Sequence, residues 1–318
     1  MIDQYNRTID YLRISITDLC DLRCVYCMPS TGVQKRTHKE ILRISEILEI
    51  VEAAASLGIR KIRLTGGEPL CRKGLLSLCE GISNVAGIEE LTLTTNGNLL
   101  FAFATDLKKA GVHRINISLD SLIPEKYHSI TRRGNLDTVL KGIHAAKEAG
   151  LTPIKINTVL IGGFNDDEIS QFVELTKTEP IDVRFIELMP IGEASKAWQS
   201  GFLPISTVLE RVPNLLPISN KNDGVATLYR LPDGVGKVGL ISPVSNHFCN
   251  SCNRIRLTPD GKIKPCLHAS NEYNIRGYHG DNLRQRLEKI IFLKPTGHLG
   301  LSNEQPSFAG RNMNEIGG

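Results

Sequence analysis

The sequence predicts an α/β protein built on a parallel β-sheet. Segments typical of strands and of helices alternate six times over the first 190 residues, with no antiparallel interruption. Such alternation is typical of strand–helix–strand units with right-handed crossovers. Two architectures are consistent with this order, an open doubly wound sheet and a partial barrel, because six strand–helix units are two short of a complete barrel. In either case we expect the functional site at the carboxyl ends of the strands.

The six predicted strands are short runs rich in β-branched and aliphatic residues. They cover residues 11–17, 61–65, 91–96, 114–120, 155–161 and 182–189. Between them, apolar residues recur with the period of an amphipathic helix, and a glycine such as Gly58 or Gly150 often follows. The predicted helices cover residues 45–57, 74–85, 99–110, 136–149 and 166–177.

The alternation stops after Pro190, and a smaller α+β domain is expected to follow. Its predicted elements are loops and short helices over 191–223, strands at 226–231 and 237–242, a hairpin across 254–267 that turns at Asp260–Gly261, and a helix near 282–290. A chain of 318 residues accommodates one large domain and one smaller one. We therefore predict a core domain over residues 4–225 and a C-terminal domain over 226–318.

The composition excludes several classes of protein. With 41% hydrophobic and 23% charged residues, the chain can form a packed core. A net charge of +4 and 5% aromatic residues argue against nucleic-acid binding. The N-terminal residues lack the apolar core of a signal peptide, and no apolar run is long enough to span a bilayer. We therefore predict a cytoplasmic protein with no nucleic-acid and no membrane partner, in which grouped cysteines indicate metal sites.

Six of the eight cysteines form two triplets. The first triplet, Cys20, Cys24 and Cys27, follows the first predicted strand with the spacing Cys-x3-Cys-x2-Cys. Thiolates hold iron–sulfur clusters, and three cysteines leave one iron of a four-iron cluster free for a ligand from outside the protein. A zinc site completed by a distant residue, or simply buried thiols, is the alternative.

The second triplet lies near the C-terminus. Cys249, Cys252 and Cys266 have the spacing Cys-x2-Cys-x13-Cys, and the predicted hairpin separates the third cysteine from the other two. A second cluster with a free iron is our leading hypothesis. Because His268 follows the third cysteine closely, a Cys3His zinc site remains an alternative.

The first triplet resembles the signature of the radical S-adenosylmethionine (SAM) superfamily. The segment CDLRCVYC carries its cysteines, and Gly66–Gly67–Glu68–Pro69 after the second strand is similar to its GGEP motif. The resemblance implies a partial (β/α)6 TIM-like barrel with a smaller C-terminal α+β domain over its open side. It also implies a [4Fe–4S] cluster whose fourth iron binds SAM. The SAM ligands that it implies are Tyr26, Gly67, Ser118 and Met189.

Other motifs narrow the resemblance to the GTP 3′,8-cyclase family of molybdenum cofactor biosynthesis. The matching stretches include CNRIRLTPDGKIKPCL around the second triplet, DYLRISITDLC, LTTNG, NISLDSL, RFIELMPIG, KPTGH and the terminal IGG. They run from about residue 10 to residue 318. The resemblance implies a second [4Fe–4S] cluster that faces GTP through its free iron, and a Gly317–Gly318 tail that reaches the active site.

A triphosphate site needs fixed positive charge. In a strand after the second triplet, the two-residue period places Arg254 and Arg256 on one face, and arginine makes bidentate contacts with phosphate. Basic residues on other inner strands are expected to converge on the same site. The GTP ligands implied by the resemblance are Arg13, Lys61, Arg63, Thr94, Lys155, Arg184, Arg254, Ile255 and Arg256. The predicted catalytic residues are Arg13, Arg254 and Arg256.

The implied activity is that of a lyase. A 5′-deoxyadenosyl radical from SAM removes hydrogen from C3′ of the GTP ribose, and the C3′ radical attacks guanine C8. The product is (8S)-3′,8-cyclo-7,8-dihydroguanosine 5′-triphosphate. The implied partners are an external electron donor and a downstream cyclic pyranopterin monophosphate synthase accessory protein, and a homodimer is left open.

Two alternative functions stay open. Another two-cluster radical SAM enzyme, such as a peptide maturase, would share the first triplet, although such enzymes usually carry more C-terminal cysteines. A non-enzymatic zinc-binding module would use the cysteines without radical chemistry. Cys79, in an apolar helix, is predicted to be a buried thiol, and no chemistry is assigned to Cys71.

Overall fold

The computed structural model describes residues 1–34, 36–37, 39–196, 198–218, 225–298, 301 and 307–317. Within these residues, twelve strands form one sheet in the order β12-β11-β10-β1-β2-β3-β4-β5-β6-β9-β8-β7. In chain order the strands are β1 (Tyr11–Ser15), β2 (Lys61–Thr65), β3 (Glu90–Thr95), β4 (Arg114–Ser118), β5 (Ile154–Leu160), β6 (Ile181–Glu187), β7 (Leu216–Pro217), β8 (Thr227–Arg230), β9 (Val238–Ile241), β10 (Arg254–Leu257), β11 (Lys262–Lys264) and β12 (Tyr273–Asn274).

The helices of the described chain follow the predicted rhythm closely. They are α1 (Ile44–Ser56), α2 (Leu75–Ser83), α3 (Leu100–Lys109), α4 (Pro124–Thr131), α5 (Leu136–Glu148), α6 (Ile169–Thr178), α7 (Trp198–Gly201), α8 (Thr207–Arg211), α9 (Gly280–Phe292) and α10 (Met313–Ile316). Neither α4, which is short and largely polar, nor the four-residue α10 was predicted from the sequence. Helix α4 begins at Pro124, where the missing N–H costs no hydrogen bond, and it buries Tyr127 and Ile130.

The parallel core is the part of the sheet that the sequence predicted best. Strands β1 to β6 pair in chain order and all in parallel. The two outer core strands are joined by C-terminal strands, because β1 also pairs with β10 and β6 also pairs with β9. The core is therefore an unclosed curved sheet, and the predicted partial TIM-like barrel is confirmed.

The predicted hairpin forms with the expected turn. Strands β10 and β11 are antiparallel, and Gly261 adopts a φ of +83°, a conformation that favours glycine. The division of the chain at residues 225 and 226 stays a prediction. The sheet itself continues across that point, since β9 and β10 both extend the core.

The two faces of the core strands differ in chemistry. Side chains alternate between the faces along each strand. One face is apolar and packs against the helices, with residues such as Leu12, Ile62 and Leu91 fully buried. The other face is polar and lines the inside of the curved sheet. Across five strands, neighbouring residues on that inner face are Arg256, Arg13, Arg63, Thr92 and Arg114.

No helix in the described residues has the length and apolar character that crossing a membrane requires.

Candidate active site

A cavity of about 560 Å³ lies inside the curved sheet. All six cysteines of the two triplets line it, although the triplets are far apart in the sequence. The first triplet follows β1. In the second triplet, Cys249 and Cys252 precede β10, and Cys266 follows β11. Because β1 and β10 are neighbours in the sheet, both triplets reach one cavity.

The loop that carries the first triplet is held by the GGEP turn. Backbone N–H groups of Gly67 and Glu68 donate to the carbonyls of Thr17 and Leu19, both at 2.7 Å. A Cβ on Gly67 would collide with the Leu19 carbonyl oxygen, so this close approach requires glycine. The turn after β2 therefore positions the loop that leads into Cys20.

The first triplet lies among carboxylates. Burial, followed by the negative charge of Glu68, raises the pKa of Cys20. Burial raises the pKa of Cys24 well above its usual range, to which Asp120 also contributes, and burial raises the pKa of Cys27 to about 12. Thiolates in such a place need positive charge from another source, because metal ligation requires deprotonated thiols. The donor set therefore fits the irons of a [4Fe–4S] cluster.

The residues predicted to bind SAM all line the cavity near the first triplet. They are Tyr26, Gly67, Ser118 and Met189. The Tyr26 hydroxyl donates to Asp120 Oδ2 at 2.6 Å, which fixes the orientation of the ring. Met189 packs against the cluster of Ile191, Ala309 and Ile316, and Met313 and Asn314 line the cavity, so the C-terminal segment borders it.

The second triplet lies among cations. Lys294 Nζ, only 2% exposed as a residue, donates to the carbonyls of Arg254 at 2.9 Å and Pro265 at 2.7 Å. Arg7 Nη1 donates to the carbonyl of Cys249 at 2.9 Å. Although burial opposes the effect, Lys294 and Arg254 lower the pKa of Cys252 to about 6. Cys252 therefore favours the thiolate form, which is the form that binds metal, whereas burial raises the pKa of Cys249.

Within the described residues, no three or more His, Cys, Asp and Glu side chains are arranged to hold a single metal ion. Nδ1 of His268, the fourth ligand of the alternative Cys3His zinc site, lies 3.0 Å from Ser307 Oγ. The cysteines of a cubane cluster each bind a different iron and need not converge on one point. Outside the triplets, Cys79 is buried as predicted and Cys71 is exposed.

Eight of the nine predicted GTP ligands line the cavity. They are Arg13, Lys61, Arg63, Thr94, Lys155, Arg184, Arg254 and Arg256. The side chain of Ile255 is the exception, because it lies in the apolar core on the other face of β10 and is 1% exposed. Only the backbone of Ile255, and not its side chain, could therefore make the predicted contact with GTP.

The polar wall of the cavity contains several groups without partners. Within the described residues, six residues that line the cavity have a buried side-chain atom without a hydrogen-bond partner: Tyr11 Oη, Arg13 Nε, Thr94 Oγ1, Asn116 Nδ2, His298 Nδ1 and Asn314 Oδ1. Buried polar groups are normally paired, so this wall fits a polar ligand. Tyr11 and Asn116 were not predicted from the sequence as site residues. The signal was the two-residue period, since each lies two positions before a predicted ligand, Arg13 and Ser118.

The C-terminal segment contacts a predicted catalytic arginine. Arg256 Nη1 donates to the carbonyl of Ile316 at 3.3 Å and also to the carbonyl of Gly317. Gly317 packs against Thr65 at the end of β2. Gly318, the other half of the predicted diglycine tail, lies outside the described residues.

Comparison with known proteins agrees with this geometry. Residues 14–176 match the Radical SAM superfamily, and residues 181–299 match Molybdenum Cofactor Synthesis C. The chain is 50% identical to the GTP 3′,8-cyclase of Alkaliphilus oremlandii and 51% identical to that of Alkaliphilus metalliredigens, over 100% of both chains in each case. This chain belongs to the GTP 3′,8-cyclase family of the radical SAM superfamily. The resemblance inferred from the sequence motifs is confirmed.

A solved structure outside the GTP 3′,8-cyclase family shares the fold. The crystal structure of Streptococcus suis SuiB bound to precursor peptide SuiA has a TM-score of 0.63 and 14% sequence identity, covering 92% of this chain and 66% of SuiB. At that identity the likeness shows the fold alone, so it does not support the peptide maturase alternative.

Proposed function

We propose that this chain catalyses the radical SAM cyclisation of GTP to (8S)-3′,8-cyclo-7,8-dihydroguanosine 5′-triphosphate, an early step of molybdenum cofactor biosynthesis. The reaction makes the protein a lyase. One observation carries the proposal: a single cavity has a cysteine triplet at each end and a wall of basic side chains between them. The relatives named GTP 3′,8-cyclase match this chain over its full length.

The cofactors are SAM and two [4Fe–4S] clusters. Cys20, Cys24 and Cys27 would hold the first cluster, and Cys249, Cys252 and Cys266 would hold the second. Tyr26, Gly67, Ser118 and Met189 would bind SAM beside the first triplet. When bound, SAM and the first cluster supply one-electron radical chemistry.

The basic wall would hold GTP in a single orientation. Arg254 and Arg256 lie next to the second triplet, and Arg13 is their neighbour on β1. Guanidinium groups bind phosphate oxygens in pairs, which restricts both the position and the rotation of the ligand. With the base near the second triplet, the ribose would lie toward the first. Positioning of this kind is the protein's main contribution to a reaction whose reactive species comes from the cofactor.

The remaining predicted ligands extend this wall. Lys155 Nζ lies 3.4 Å from Asp182, and Lys61 Nζ lies 3.6 Å from Asp10, so both ammonium groups are oriented by carboxylates. Arg63 donates to Thr92 Oγ1 at 3.3 Å and is nearly fully buried. The C-terminal segment would help to exclude water from this wall through its contacts with Arg256.

The partners follow from the proposed chemistry. An external donor supplies the electron, and a cyclic pyranopterin monophosphate synthase accessory protein would take the cyclised nucleotide. We also propose a cytoplasmic location, no nucleic-acid or membrane partner, and a homodimer as one possible assembly. The core over residues 4–225 and the C-terminal domain over 226–318 remain our proposed division of the chain.

Anaerobic incubation of the reconstituted protein with GTP, SAM and a reductant tests the proposal. The expected products are 5′-deoxyadenosine and the cyclised nucleotide, and neither should form without SAM. The protein should contain about eight irons per chain, as two four-iron clusters require. Protein with this iron content that makes neither product would overturn the proposal, and a chain that holds zinc alone would favour the zinc-binding module.

A further inference from the structure

Tyr11, which was not predicted as a site residue, lies in the cavity wall beside Arg254, two residues after Cys252 of the second triplet. It begins β1 two residues before Arg13, so both side chains face the cavity. Its neighbours in register are Arg254 on β10 and Lys61 on β2. Tyr11 therefore occupies the centre of a row whose other two members are predicted GTP ligands.

The hydroxyl group of Tyr11 is incompletely bonded in the free protein. It is buried and makes no hydrogen bond of normal geometry among the described residues; the nearby Arg13 guanidinium can only donate to the oxygen, so the O–H proton has no acceptor. A buried tyrosine hydroxyl normally has a partner, because leaving it unpaired after removal from water is unfavourable. Since Tyr11 lines the cavity, a molecule bound there can supply the missing acceptor.

The surroundings of Tyr11 select an anionic acceptor. Groups from every adjacent strand face this part of the wall: Arg13 from β1, Lys61 and Arg63 from β2, Glu90 from β3, Arg114 from β4 and Arg254 from β10. The Arg63 guanidinium carbon lies 5.5 Å from the centre of the Tyr11 ring. The one carboxylate among these groups, Glu90, is paired with Arg114 at 2.7 Å, and Lys61 is paired with Asp10 at 3.6 Å, so Arg13, Arg63 and Arg254 carry the excess positive charge. An acceptor entering here meets a net positive field.

We infer that the Tyr11 hydroxyl donates a hydrogen bond to a phosphate oxygen of bound GTP. The inference rests on the proposed function and adds a ligand to its substrate site. A neutral O–H donor can approach a phosphate oxygen that the arginines also contact, without adding charge to a wall that is already strongly basic. Tyr11 would thus fix the rotation of the triphosphate, while the arginines supply most of the attraction.

A second tyrosine offers a matched control. The Tyr127 hydroxyl is also buried and also lacks a partner among the described residues. Tyr127, however, belongs to the apolar core and does not line the cavity. The two phenols differ in their electrostatic surroundings as well. Although burial opposes the effect, the arginines led by Arg63 lower the pKa of Tyr11 to about 8, whereas burial raises the pKa of Tyr127.

The test compares the reconstituted wild-type protein with Tyr11→Phe and Tyr127→Phe by calorimetric binding of GTP and of guanosine. We expect Tyr11→Phe to weaken GTP binding about tenfold, as the loss of one hydrogen bond to a charged group predicts. Guanosine binding should not change, and thermal unfolding of the free variant should not shift downward, because the hydroxyl makes no hydrogen bond of normal geometry in the free protein. Tyr127→Phe should leave binding of both ligands unchanged.

The outcomes separate the inference from the proposed function. If wild-type protein binds no GTP, the proposed function fails. If wild-type protein binds GTP and Tyr11→Phe binds it equally well, only the inference fails. A variant that loses affinity for guanosine as strongly as for GTP would show that Tyr11 contacts the nucleoside, which also overturns the inference.

A second measurement covers the case in which Tyr11→Phe does not fold. The GTP affinity of wild-type protein should fall as the pH rises through about 8, because tyrosinate has lost the proton that it donates. Fluorotyrosine at position 11 keeps the shape of the side chain and lowers the pKa of the phenol. It should move the fall in affinity to lower pH, and an unmoved profile would overturn the inference.

Discussion

The two ends of the cavity hold equal numbers of cysteines in opposite electrostatic surroundings. At the first end, Glu68 and Asp120 are 0% and 4% exposed, and their charges act on Cys20, Cys24 and Cys27. At the second end, Lys294 is 2% exposed and, within the described residues, no carboxylate pairs with it. Buried charges act strongly because little water screens them.

This difference bears on electron transfer. The net charge around an iron–sulfur cluster helps to set its reduction potential. Carboxylates near the first triplet disfavour an added electron there, and cations near the second triplet favour one. We therefore expect the second cluster to have the higher reduction potential. Two sites that look alike in their cysteine spacing would then differ in the ease with which they are reduced.

Removing one cysteine from each end should have the largest effect. Cys24→Ala and Cys252→Ala should each lose about four of about eight irons, since three thiolates hold each four-iron cluster. Cys24→Ala should form no 5′-deoxyadenosine. Cys252→Ala should still form it but make no cyclised nucleotide. Iron analysis and product chromatography measure both effects.

Cys71→Ser is the matched control for this pair, because Cys71 is exposed and lies outside both triplets. It should keep all of its iron. If Cys252→Ala lost the ability to form 5′-deoxyadenosine at full first-cluster content, the separate roles given to the two ends would be wrong.

Lys294→Gln should lower the reduction potential of the second cluster alone. Glutamine can still donate to a backbone carbonyl but carries no charge, so the change removes the buried cation with limited loss of hydrogen bonding. We expect a fall of roughly 59 mV, a tenfold change for a one-electron couple, in a redox titration followed by electron paramagnetic resonance. Lys289→Gln, on the exposed face of α9, should shift neither cluster. A shift confined to the first cluster would contradict the electrostatic comparison.

Asp120→Asn should raise the reduction potential of the first cluster. The rise should be smaller than the fall that Lys294→Gln causes in the potential of the second cluster. The amide oxygen of asparagine can still accept the hydrogen bond that the Tyr26 hydroxyl now donates to Asp120. Glu68 remains in place, and although burial raises its pKa to about 7, its ionised fraction keeps negative charge at this end and limits the effect. The same redox titration measures this change. If Asp120→Asn shifted the reduction potential of the second cluster and left that of the first unchanged, the assignment of the acidic end to the first cluster would be wrong.

Arg311→Met should have the smallest effect, because it acts on the segment that lies between the two ends. Arg311 contacts Asp260 at 2.9 Å and Glu272 at 2.6 Å, and so anchors the chain just before α10. Without it, we expect turnover to fall several-fold while both potentials stay unchanged. Steady-state kinetics and the redox titration separate these effects. A change in either potential would show that Arg311 acts on a cluster rather than on the C-terminal segment.

The sequence was most informative where the signal is local. Strand and helix positions follow from periods of two and 3.6 residues, which each segment expresses without its neighbours. For this reason the six core strands were predicted within two residues of their observed bounds at most ends, whereas α4 was missed because its short polar sequence has a weak apolar stripe. Cysteine spacing is equally local, and it carried the resemblance to the family.

The candidate site combines local and long-range information. Eight predicted GTP ligands line the cavity because they occupy the inner positions of their strands, which the two-residue period alone specifies. Ile255 falls between two such positions, so its side chain turns into the core. Tyr11 lies on the same inner face by the two-residue period. A tyrosine, however, is also common in apolar cores, so its residue type did not indicate a ligand.

The sequence by itself determined the strand–helix order, the inner face of each strand and the composition of both cysteine triplets. Only the tertiary structure decided that β10 lies beside β1, and therefore that the triplets share one cavity with Tyr11 between Arg254 and Lys61. It also decided which end is acidic and which is basic, since Asp120 and Lys294 are both distant in sequence from the cysteines that they influence. The physical reason is that periodicity depends on the backbone of one segment, whereas burial and electrostatic fields depend on residues that only folding brings together.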